Sequence, residues 1–234
     1  MKIMFKEFIQ IAGIIDEKEA QMLISCGVSY LGFPLRPPVN KEDLTEEEAS
    51  QIISGLHPPN QGILITYLDN AVEIKKLSDK IGTKIIQLHG KISIDELNKF
   101  KSISPESIVI KSLIVGKSSK EKLFEAVTNF ENIVDAFITD SFNPQTGATG
   151  ATGITHDWNT SKEFVDFSKK PIILAGGLNP ENVCDAIVKV RPAGVDTHTG
   201  VEGVAGRKIK IKVVKFVEEA IRGFRMIRED ENDL

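Results

Sequence analysis

Short apolar runs recur along the chain, each followed by a stretch with helical periodicity. The runs fall at residues 8–12, 28–33, 62–67, 84–88, 107–113, 136–139, 171–175 and 194–196. Most are almost continuously apolar, as expected of parallel strands covered on both faces rather than of strands with one wet face. Helix-start signals lie between them. Thr45 with Glu48 and Ser93 with Glu96 have capping-box spacing. Asn179 before Pro180 reads as an N-cap and first helical residue, and Asp16 and Asp69 as simple caps. Eight strand–helix units in 234 residues favour a single α/β domain, a closed (β/α)8 TIM barrel, over an open doubly wound sheet. The barrel is expected over residues 1–224. The charged run "RMIREDENDL", 225–234, reads as a tail extending beyond the last helix into solvent.

Composition narrows the class. Apolar residues make up 41% and charged residues 26%, as in a globular domain. A net charge of −4 offers no electrostatic case for nucleic acid or for an anionic membrane surface. No apolar run approaches the length of a bilayer span, and "MKIMFKEFIQIAG" lacks the form of a signal peptide. The expectation is a cytoplasmic protein. Cys26 and Cys184 read as reduced helix thiols, and no Cys/His spacing suggests a dedicated metal site.

In a barrel of this type, chemistry gathers at the C-terminal ends of the strands. Those ends carry Ala12-Gly13, the segment 33–36, Thr66, His89-Gly90, Lys111, Asp140, Ala175-Gly176-Gly177 and residues 196–200. Glycines and an occasional Asp suit ordinary turns; a Lys, two His and two Asp suit them less well. Lys111, partly buried, is expected to pair with a neighbouring carboxylate. His57, before the third strand, should face the opposite rim. "ILAGGLNPENV" and "VDTHTGVEG" both run from a strand into a small-residue turn after strands seven and eight. Such turns let backbone N–H groups approach an anion, and this is the common phosphate site of barrels.

"QLHG" (87–90), "GATGITHDW" (150–158), "ILAGGLNPENV" (173–183) and "GVDTHTGVE" (194–202) resemble, in order and spacing, the motifs of phosphoribosylanthranilate isomerase, an enzyme of tryptophan biosynthesis. The resemblance covers roughly residues 8–222. It implies a (β/α)8 barrel and an Amadori rearrangement of a phosphorylated ribosylamine. The chemistry needs an acid for the ribose ring oxygen and a base for the C2 proton, with neither metal nor organic cofactor. Asp140 matches the family's acid. Gly150 and Gly153 match its glycine-rich turn beside the phosphate, and Gly176, Gly177, Thr199 and Gly200 its phosphate turns. His89 falls in its fourth-strand motif.

Several positions depart from the family. "IQIAGI" (9–14) lies where the family has "K-I-C-G", so Ala12 replaces the Cys that serves as base. Arg36 is the natural stand-in for the Arg that meets the anthranilate carboxylate; Lys41 aligns as well without a gap. His198-Thr199 replaces Ser-Ser, and His156 replaces an aromatic residue before Asp157-Trp158. The histidines can be plain: His156 capping or packing on the sixth helix, His198 lining the phosphate turn. Alternatively His156, His198 or Asp196 serves as base in a rearranged site. Three functions stay open: an isomerase of this type, an enzyme on another phosphosugar through Asp140, His156 and His198, and a non-catalytic phospho-ligand binder. Each takes a phosphorylated small molecule, and the protein is expected to be a monomer or homodimer.

Overall fold

A computed structural model describes residues 5–37, 44–141, 155 and 157–232. Eight parallel strands close in sequence order into a barrel: β1 (Phe8–Ala12), β2 (Tyr30–Pro34), β3 (Gln61–Thr66), β4 (Ile85–Leu88), β5 (Ile108–Val115), β6 (Ala136–Ser141), β7 (Ile172–Leu174) and β8 (Gly194–Thr197). Closure is made by β1 against β8, with Phe8 beside Gly194 and Gln10 beside Asp196. The helices are α1 (Glu17–Ser25), α2 (Glu46–Ser54), α3 (Ala71–Ile81), α4 (Ile94–Ile103), α5 (Lys120–Phe130), α6 (Trp158–Phe167), α7 (Val183–Val190) and α8 (Lys210–Asn232). A 3-10 turn, Thr199–Val201, follows β8. Among the described residues no helix is long and apolar enough to cross a membrane.

Two cores result from the alternation of side chains along the strands. The outward residues and the inner faces of the helices form the larger one, including Leu31, Leu64, Ile86, Phe137 and Phe216. The barrel interior is filled by Phe8, Ile63, Ile85, Ile110, Ile138 and Ile173, with Ala12 and Ala175 at the rim end. Burying each large aliphatic or aromatic side chain contributes about 1.5–3 kcal/mol. Bulk and void are matched across the closure: a Cβ on Gly194 would lie 2.5 Å from the Phe8 Cβ, so the aromatic ring needs the glycine opposite it.

Local chemistry explains most helix starts. Thr45 and Glu48 form the reciprocal capping box, and Asp16 accepts from the Glu19 N–H. Elsewhere tertiary contacts alter the expectation. Ser93 caps α4, but the Glu96 carboxylate reaches across to the Ala71 N–H at 2.6 Å instead of closing its own box. Asn70, not Asp69, caps α3, accepting from Val72 and Glu73. Asn179 and Pro180 lie in a turn before α7, whose N-cap is Asn182; Asn179 accepts from the Glu181 N–H. The charged run at the C-terminus does not leave the final helix: α8 continues to Asn232. Asp230 pairs with Arg191 at 2.7 Å, and Arg228 pairs with Glu7. These partners, distant in sequence, give the charged turns a reason to remain helical.

Candidate active site

Above the apolar interior lies a polar layer that starts with Gln10 and Gln87, both almost fully buried. The Gln10 Nε2 donates to Gln87 Oε1 at 2.9 Å, across the barrel from β1 to β4. Gln87 Nε2 lies 2.7 Å from His89 Nε2, and His89 Nδ1 faces Asp140 Oδ2 at 3.9 Å. Burial, reinforced by the Lys111 charge, lowers the His89 pKa to about 3, so the ring is neutral. With the Gln87 amide donating to Nε2, the ring proton sits on Nδ1, on the side of Asp140. That separation is too long for a hydrogen bond without a ligand, and such contacts tighten when substrate arrives.

Asp140 sits near the end of β6 with its carboxyl buried; Oδ1 accepts the Ser141 N–H at 2.7 Å. Burial raises its pKa to about 7 against the smaller opposing effect of that hydrogen bond. A carboxyl poised there still carries a proton near neutrality, as a general acid must. Asp196, beside Gln10 in the closure, is pushed well above the ordinary carboxylate range by burial and then by Asp140; Lys208 opposes this. Asp196 Oδ1 and Gln10 Oε1 are both buried acceptors without a donor among the described residues. A proton on Asp196 turns one acceptor into a donor, so Asp196 is a poor candidate for the base considered from sequence.

Lys111 corrects another expectation. Its ammonium meets carbonyls rather than a carboxylate: Gly90 O at 3.1 Å, Ser112 O at 3.4 Å and Leu88 O at 3.5 Å. Desolvation lowers its pKa to about 8. His57 is exposed in the turn before β3, away from the β-strand C-terminal ends.

The turns after β7 and β8 are joined. Thr197 Oγ1 donates to Leu178 O at 2.7 Å, and a Cβ on Gly200 would fall 1.9 Å from that carbonyl. Gly176 and Gly177 have φ of 98° and 67°, which side chains rarely adopt. The result is a narrow, side-chain-poor rim made by Gly176, Gly177, Thr199 and Gly200. Arg36 follows β2 with φ 54°, and its Nη2 lies 2.7 Å from Glu46 Oε1 at the start of α2. Lys41, Gly150, Gly153 and His156 lie outside the described residues.

The other end of the mouth is built around β1. Ala12 is buried and offers only a methyl group. Over the next residue, Gly13, His198 Nε2 lies 3.3 Å from Glu202 Oε1. The same carboxylate oxygen takes the Lys208 ammonium at 2.9 Å, and Lys208 also donates to Gly13 O at 2.8 Å. The Lys208 backbone N–H donates to buried Glu19 at 2.8 Å. Burial tends to raise the Glu202 pKa, but hydrogen bonds from His198 and Lys208 outweigh it and hold the carboxyl below its ordinary range.

The family profile described as N-(5'phosphoribosyl)anthranilate (PRA) isomerase matches residues 9–219. The chain belongs to the PRA isomerase family. It is 34% identical over 222 residues to N-(5'-phosphoribosyl)anthranilate isomerase 2 of Methanosarcina mazei, covering 94% of this chain and 96% of the relative. The phosphoribosyl anthranilate isomerase structure from Thermotoga maritima superposes with a TM-score of 0.78 at 28% identity, over 92% of this chain and 98% of that one. A further isomerase, solved with reduced 1-(o-carboxyphenylamino)-1-deoxyribulose 5-phosphate, gives 0.75 at 26% identity, with the same coverage of both chains.

Membership in the PRA isomerase family sharpens the meaning of the first strand. Gln10 and Ala12 stand at the Lys and Cys of the "K-I-C-G" motif, so this barrel lacks a cation and a thiol there. The structure brings Asp140, His89 and Asp196 into one polar interior, and sets His198 over Gly13, the residue after Ala12. Sequence reading passed over Gln10, Gln87, Glu202 and Lys208. The Gln at the motif's Lys position was the available signal for the first. Glu202 and Lys208 look like ordinary surface charges until the chain closes over them.

Proposed function

We propose that this protein catalyses the Amadori rearrangement of N-(5'-phosphoribosyl)anthranilate to the corresponding 1-deoxyribulose 5-phosphate. The observation that carries the reading is Asp140: a buried carboxyl at the β6 end of the barrel mouth, held protonated near neutrality by desolvation. It donates its proton to the ribose ring oxygen, which opens the ring to the imine. Neutral His89 orients it. The rim of Gly176, Gly177, Thr199 and Gly200, with Gly150 and Gly153, receives the phosphate. Arg36 turns from Glu46 to meet the anthranilate carboxylate. The reaction draws on proton transfer alone, with a phosphorylated small molecule as sole substrate, in the cytoplasm.

Turnover of phosphoribosylanthranilate by the purified protein, and complementation of a strain lacking the isomerase, are the expected results. Absence of both refutes the reading. Ala12 favours a second one, in which the same mouth binds a phospho-ligand without turning it over. Turnover that Asp140→Asn abolishes excludes that alternative.

A further inference from the structure

We propose that His198, oriented by Glu202 and Lys208, is the base that removes the substrate C2 proton in place of the missing thiol. The inference rests on the isomerase reading and names the residue that completes it. Among the described residues, the other candidates fail on geometry or protonation. Cys26 caps the C-terminus of α1 and Cys184 lies on α7, each on a helix outside the barrel. His89 has its Nε2 occupied by Gln87 and carries its proton toward Asp140. Asp196 is buried with an oxygen that needs a donor.

His198 has the right place. It follows β8 directly and leans over the end of β1: a Cβ on Gly13 would lie 2.0 Å from His198 Nε2. The imidazole therefore covers the residue next to Ala12, and only glycine leaves room for it. It also has a fixed orientation. Lys208 is tied to Gly13 O and pins Glu202, and Glu202 Oε1 faces Nε2 at 3.3 Å. A carboxylate there accepts the Nε2 hydrogen and leaves the lone pair on Nδ1. The ring atoms nearest the Gly13 position are Nε2, Cδ2 and Cε1, which leaves Nδ1 on the far edge of the ring. About a quarter of the side chain (23%) is exposed.

The proton inventory closes. Asp140 protonates the ring oxygen, the C1–O bond breaks, and C1 becomes a protonated imine. His198 Nδ1 takes the C2 proton. The C2–H electron pair forms the C1=C2 bond, and the imine π pair returns to nitrogen. The imidazolium forms beside the Glu202 carboxylate. The enol O–H proton is then lost as C1 gains one, giving the 2-ketone. Solvent returns a proton from His198 to Asp140, so no oxidant or reductant enters.

The test compares wild type, His198→Asn, His198→Ala and the double variant Ala12→Cys/His198→Asn, each confirmed folded by circular dichroism. With phosphoribosylanthranilate, kcat of His198→Asn should fall about 10²- to 10⁴-fold, the usual contribution of a positioned base. Affinity for reduced 1-(o-carboxyphenylamino)-1-deoxyribulose 5-phosphate should change by less than about threefold, since the base acts on the transition state. Added imidazole should restore turnover to His198→Ala, and the new thiol should restore it to the double variant. Wild-type turnover that survives in His198→Asn overturns the assignment while leaving the isomerase reading intact. So does a loss of analogue affinity with kcat unchanged, the signature of a phosphate contact. A wild type without turnover overturns both.

Discussion

Replacing Asp140 by Asn should stabilise the protein while removing its activity. The carboxyl is buried, and its pKa rises from 3.8 to about 7 because the charged form loses solvation. The native state therefore holds this proton more tightly than the unfolded chain does. Below about pH 4 both states are protonated and the group is neutral in its effect. Between about 4 and 7 the unfolded chain gives up the proton first, so stability falls as pH rises. Above 7 the native protein carries a buried carboxylate. At about 1.4 kcal/mol for each tenfold step in proton affinity, that costs about 4 kcal/mol. Asparagine keeps the oxygen that accepts the Ser141 N–H and never ionises. Thermal unfolding followed by circular dichroism at pH 8 should show Asp140→Asn melting about 10 °C above wild type, taking about 2–4 °C per kcal/mol for a chain of this size. The gap should close toward pH 4, and kcat should drop about 10²- to 10⁴-fold. Equal melting temperatures at pH 8, or a gap independent of pH, would refute the assignment of a desolvated acid. This is the usual opposition between stability and a desolvated catalytic group.

Three further substitutions test other parts of the account. Gly200→Ala drives a Cβ to 1.9 Å from Leu178 O, backbone against side chain. It should lower stability by about 1–3 kcal/mol and weaken inorganic phosphate binding, read by denaturant melts and calorimetry. Gly13→Ala meets both a φ of 76° and the His198 ring. It should cost about 1–2 kcal/mol of stability and reduce kcat as His198→Asn does, whereas KM for the phosphosugar should move little. Asn70→Ala removes the acceptor for two N–H groups and should cost about 1 kcal/mol. Asp69→Ala, one residue earlier, should leave urea unfolding almost unchanged.

The order of elements and the closed architecture were legible in the sequence. Strand and helix periodicities are properties of neighbouring residues, and eight apolar runs with short connections leave few ways to close. Phe8–Ala12 coincides with the first expected strand, and the others differ by at most two residues at either end. Asp140 was legible because a strand-six terminus lies at the working rim of any such barrel. What sequence could not decide depends on charge placement across the chain. Glu96 abandons its own cap for Ala71, and the C-terminal run stays helical because Asp230 and Arg228 reach Arg191 and Glu7. Whether Asp140 and Asp196 hold protons is set by how much water the closed barrel leaves them, which no local pattern encodes. Lys208 reaches Gly13 across 195 positions. Only closure of β8 against β1 puts His198, Glu202 and Lys208 around the place where a thiol is missing, because barrel closure brings the two ends of the chain to the same rim.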